Sequence, residues 1–179
     1  MKTRVLIFIT TAALIMLSIS QTGTSTPYNK LNKEYDSLIS AILTLPNAEK
    51  ILGEDAHLTE STITIKDDVT KHQLAYIADS LDKKSGKTGA VYFRLDDYKD
   101  IASAHKIYRK FFNENKDHDG IKVLKDVGDE AYFHSDGENF YYISIRKGNK
   151  LIIMKVNKIT SKTSLDDFNS LLRSITGKL

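Results

Sequence analysis

The sequence predicts an α+β domain in which a mostly antiparallel sheet of about six strands is flanked by three main helices. Three observations carry that expectation. Between Gly120 and Lys158, β-branched and aromatic residues alternate with polar ones on both sides of a Gly148-Asn149 pair, the composition of a two-residue hairpin loop. Amphipathic stripes of helical period stand before, between and after the strand segments. The order helix, strands, helix, strands, helix also lacks the regular βαβ alternation of a parallel sheet.

Taken in chain order, residues 1–20 read as a signal peptide: Lys2 and Arg4 form the basic start, Val5 to Leu17 the apolar stretch, and Ser18-Ile19-Ser20 the small-x-small site before Gln21. The apolar stretch, broken by Thr10 and Thr11, is shorter than the roughly 20 residues a spanning helix needs, so no stable membrane span is expected after cleavage. Residues 21–27 form a small, polar, flexible tether, and residues 28–179 one domain.

Leu31, Tyr35, Leu38, Ile42 and Leu45 recur at helical spacing up to Pro46, and Asn47 is placed to cap a short helix closed by Gly53. Strands follow at Thr62–Lys66, Gln73–Ala78 and Ala90–Leu95. Asp97 is then an N-cap for a middle helix with Asp100 in its first turn and Ile101, Ala104, Tyr108, Phe111 and Phe112 on one side. In the hairpin, Tyr141, Ile143 and Ile145 share one face and Tyr142, Ser144 and Arg146 the other; one face is built to be covered and the other can meet water. Ile143 and Ile153 are expected in the core. Ser164-Leu-Asp-Asp opens the last helix, with Leu165, Phe168, Leu171, Leu172 and Ile175 inward and Gly177 beyond its end.

Composition excludes several functions. Without Lys2 and Arg4 the chain carries 24 basic against 23 acidic residues, with no basic stripe interleaved with aromatics, so no nucleic-acid partner is expected. The chain has no cysteine, which removes disulfides, thiolate catalysis, cysteine-based zinc sites and lipidation at a cysteine.

The sharpest motif is Asn115, Asp117, Asp119 and Asp126 with Gly120, which sets oxygen ligands at positions 1, 3, 5 and 12 of a calcium loop with glycine at 6. It departs from the pattern: Asn115 replaces Asp, Lys122 stands at an apolar position, Asp126 is shorter than Glu, and Val127-Gly128 follows where a second helix should. Asn-x-Asp-x-Asp-Gly is also the composition of a solvated turn, which these departures favour. The histidines His57, His72, His105, His118 and His134 lack metal-ligand spacing, and His105 is expected half-buried on the middle helix. The pairs Asp67-Asp68, Asp96-Asp97 and Asp166-Asp167 suit turns and helix starts better than a glycosidase dyad. No G-x-S-x-G occurs, and Ser135-Asp136-Gly137-Glu138 has turn composition. Tyr92, Tyr132 and Tyr142 occupy strand positions that can face away from the core, as a stacking surface for sugar or peptide requires; packing beneath helices is the alternative.

Leu45-Pro-Asn-Ala-Glu-Lys-Ile-Leu-Gly and Val127-Gly-Asp-Glu-Ala-Tyr, the latter leading into a hairpin and a closing helix, resemble small exported lipoproteins of the PsbP/Mog1-like class. The chain departs from that class in lacking its lipid-attachment and paired cysteines. The resemblance implies a helix-flanked antiparallel sheet used for binding and carries over no catalytic residue. The expected function is therefore an exported, secreted or periplasmic, non-enzymatic binding domain of the cell envelope, without a cofactor, whose partner is a protein, peptide or glycan. The alternative is a calcium-binding structural module or a metal-dependent hydrolase using the 115–126 loop.

Overall fold

A computed structural model describes residues 42–178. The expected signal peptide, the expected tether and most of the first predicted helix, including Leu31, Tyr35 and Leu38, lie outside the described residues. Those residues form three helices and a seven-stranded sheet: α1 (Leu45–Leu52), β1 (Ala56–Lys66), β2 (Val69–Ala78), β3 (Ala90–Tyr98), α2 (Ile101–Asn115), β4 (Ile121–Leu124), β5 (Glu130–Ser135), β6 (Phe140–Lys147), β7 (Lys150–Asn157) and α3 (Leu165–Lys178). The sheet order is β1-β2-β3-β7-β6-β5-β4, with every neighbouring pair antiparallel. Two meanders thus meet where β3 pairs with β7, and α2 carries the chain from β3 in the middle to β4 at an edge.

The expected α+β class holds, with seven strands where about six are predicted. The additional strand is the four-residue β4, too short for its alternation to register in the sequence. Pro46 stands at the start of α1, where its missing N–H costs nothing, and Thr44, not Asn47, is the N-cap. At α2 the cap is Asp100, whose side chain accepts from Ser103 N at 2.7 Å, because Asp97 is still paired within β3. Gly177 lies inside α3, which continues to Lys178. The tight turns behave as expected. Asp67 and Asp68, at φ 53 and 62, join β1 to β2, and Gly148, at φ 56, opens the β6–β7 turn that sets Lys147 opposite Lys150.

Both faces of the sheet are covered, which corrects the expectation of one wet face. On one, Ile51, Leu52, Phe168, Leu172 and Ile175 from α1 and α3 bury against Val91, Phe93, Ile143, Ile145, Ile152 and Met154. On the other, Ala104 and Tyr108 of α2 pack on Tyr98, Tyr132 and Leu151, and Phe111 and Phe112 close over them. Large side chains buried in this way contribute roughly 1.5–3 kcal/mol each. Ile101 and Leu165, expected inward, lie at helix starts beyond the sheet and are 59% and 37% exposed. Ile153 is half-buried on the α2 face and is not in the main core. Asp82 ties two distant loops, accepting from Ser85 N (3.2 Å), Ser161 N (2.9 Å) and Ser161 Oγ (3.1 Å). Hydrogen bonding from Ser85 and Ser161 holds its carboxyl well below the usual carboxylate range.

Candidate functional site

α2 is too short to cover its whole face of the sheet. Its last turn, carrying Phe111 and Asn115, ends above β6, and the next row of the sheet is left open. Register sets that row: Tyr92 on β3 opposes Lys155 on β7, Lys155 opposes Tyr142 on β6, and Tyr142 opposes His134 on β5. Side chains in register on adjacent strands point to the same face. The result is a hollow of about 450 Å³ bounded by Phe111 and Asn115 above, Tyr142, Ile153 and Lys155 below, and His134, Phe140 and Arg94 at its sides. A second hollow of about 180 Å³ shares Arg94, Tyr142, Ile153 and Lys155 and runs on past Tyr92 towards Gln73 and Glu60. Together they make a groove across the sheet.

The charges in the groove differ in how they are met. Arg94 spends its Nε on Asp96 Oδ1 at 2.7 Å and a terminal nitrogen on Asp96 Oδ2, and Asp96 also accepts from the Tyr98 hydroxyl at 3.2 Å. Burial pushes that Tyr98 phenol up to about 12, with the Asp96 charge adding to it. Lys155 instead lies over the Phe140 ring, 6.0 Å from its centroid. His134 meets Phe140 edge-to-face at 4.9 Å and His118 at 5.9 Å, and burial and then His118 hold it below the usual imidazole range, hence neutral at pH 7. Burial raises the Tyr142 phenol, so it stays a neutral donor and ring. No serine, threonine, aspartate or glutamate lines the larger hollow. The arrangement offers aromatic surface, donors and two cations, of which Arg94 is paired with Asp96, and it lacks a nucleophile paired with a base.

The three tyrosines singled out in the sequence do share this face, but they differ in access. Tyr92 is 37% exposed and Tyr142 lines both hollows. Tyr132 is fully buried, with Tyr108 and Phe112 rings at 6.0 and 5.5 Å, so it is core beneath α2 and offers no binding surface. The calcium-loop residues are not gathered. Asn115 turns back on its own helix, donating from Nδ2 to Phe111 O at 2.7 Å, while Asp117 and Asp119 are exposed in the turn. Asp126 lies beyond β4, because residues 121–124 are extended where a calcium loop would curl round its ion. Among the described residues no three His, Asp or Glu side chains converge.

Other expectations are also corrected. His105 is exposed and reaches Glu130 at 3.4 Å, outside the packed side of α2. Asp96 and Asp97 stand at neither a turn nor a helix start: they are successive strand residues on opposite faces, Asp97 accepting from Asn149 Nδ2 and Lys150 Nζ. Sequence reasoning missed Lys155, Phe140, Phe111 and Arg94 as site residues. The one available signal was register: counting outward from Lys147 opposite Lys150 places Tyr142 opposite Lys155. Compared with known protein families, curated proteins and solved structures, the chain matches none.

Proposed function

We propose that this chain is an exported, non-enzymatic binding domain of the cell envelope, and that it holds its ligand in the groove between the end of α2 and the β3–β7–β6 face. The carrying observation is the hollow of about 450 Å³, within the size range of small-molecule sites, floored by Tyr142 and Ile153 and walled by Phe111 and Phe140 with a few polar groups. Such a balance of apolar surface and sparse donors suits recognition. Export rests on the pattern of residues 1–20. No helix among the described residues is long and apolar enough to cross a membrane.

The test is amide chemical-shift mapping of the labelled protein against a panel of small organic acids, short oligosaccharides and peptides. The expected result is a binder that shifts Phe111, Asn115, Tyr142 and Lys155 and is recovered unaltered. Binders that shift only other surfaces, or a panel compound consumed by the protein, would sink the proposal.

A further inference from the structure

The polar lining of the groove is one-sided at its larger end, and its one lining carboxylate, Glu60, stands in the smaller hollow. Its larger hollow contains Arg94, Lys155, His134 and Asn115 but no carboxylate. Arg94 is already answered by Asp96, which is completely buried. Lys155 has no carboxylate within 4.0 Å among the described residues, unlike Arg146, Lys150 and Lys162, which pair with Asp129 and Glu130, Asp97, and Glu54. A lysine on an open surface needs no partner, since water solvates it. Lys155 is different in place: it stands in register between Tyr92 and Tyr142 and over Phe140, half-buried at the bottom of a concavity. There no carboxylate of the described residues lies within reach of its ammonium, and a ligand acid would supply one.

At the end of α2, Phe111 O accepts from Asn115 Nδ2, Phe112 O from Lys116 N and Asn115 O from His118 N. The partial negative charge of that helix end is the term an anion at Lys155 must outweigh. We infer that the groove takes a small organic anion, its acid group at Lys155 and a planar apolar body against Phe111, Phe140 and Tyr142. The inference rests on the groove being the binding site.

The test uses two fluorescent probes of one shape, 1-anilinonaphthalene-8-sulfonate and its neutral counterpart N-phenyl-1-naphthylamine, titrated into the folded protein. The sulfonate is expected to bind at least about tenfold more tightly, as one charge-assisted contact allows. Lys155→Met, which keeps the apolar stem, should remove about that factor for the sulfonate and leave the neutral probe unchanged. Phe140→Ala should weaken both. Should Lys155→Met fail to fold, displacement from the native protein decides: benzoate should displace the sulfonate and benzyl alcohol should not. Equal affinities for both probes, or equal displacement by acid and alcohol, would overturn the anion inference while leaving the groove intact, provided Phe140→Ala still weakens both. If Phe140→Ala changes neither probe, or neither binds, both readings fall.

Discussion

Gly128 shows how a short motif becomes a structural requirement. Its φ of 63 is left-handed, and a Cβ there would lie 2.6 Å from both Arg146 O and Ile145 Cγ2. The close approach lets Asp129 accept from Gly148 N at 2.7 Å and Arg146 Nη1 at 2.9 Å, while Glu130 takes Arg146 Nε at 2.6 Å. Val-Gly-Asp-Glu is thus a latch that holds the start of β5 to the β6–β7 turn. Gly137 has a similar φ of 81 with nothing within 4 Å of a Cβ. Gly137→Ala should therefore cost only the conformational penalty, about 1–2 kcal/mol, and Gly128→Ala clearly more, about 3 kcal/mol or above, because backbone must also move. Urea titrations of the two variants make the comparison. Equal losses would mean that the latch is loose.

At the scale of elements, alternation along β6 and β7 separates residues that look alike in composition. Ile143 is 1% exposed beneath α1 and α3, whereas Ile153 lies half-buried on the opposite face at the groove. A carboxylate at the first position has no water and no partner. Ile143→Asp should cost several kcal/mol, comparable to the whole stability of a domain this size, and abolish a cooperative thermal transition. Ile153→Asp can turn towards the groove and Lys155; it should leave a folded protein with a melting temperature lower by several degrees. Two variants of equal stability would show that the register of β7 is misassigned. The alternation and the Gly148-Asn149 turn made the hairpin legible in the sequence, since both depend on residues adjacent in the chain, but expecting Ile153 in the core beside Ile143 put β7 on the wrong face. The caps predicted at Asp97 and Asn47 lie three residues from those observed at Asp100 and Thr44, because both residues of each pair can cap when taken alone, and the strand pairing of Asp97 decides the first case.

Across the whole molecule, Asp82 joins the β2–β3 connection to the segment before α3, 79 residues away along the chain. Its folded-state carboxyl is held low by Ser85 and Ser161, so its contribution to stability is complete above the unfolded value near 4 and is lost as pH falls through the folded value. The wild-type protein should therefore lose stability below about pH 4. Asp82→Asn should be less stable than wild type at pH 7, and the two should converge towards pH 2 in urea titrations. Parallel curves over that window would show that another group carries the acid dependence. The sequence by itself determined the α+β class, six of the seven strands, the two tight turns and the pairing of β6 with β7, because periodicity and turn chemistry act over a few residues. Only the tertiary structure decided that β3 pairs with β7, that α2 buries Tyr132 yet stops short of Tyr142, and that Arg94, Asn115, His134 and Lys155 meet in one groove. Those contacts join segments far apart in the chain, and their geometry follows from covering both faces of the sheet, which no local pattern encodes.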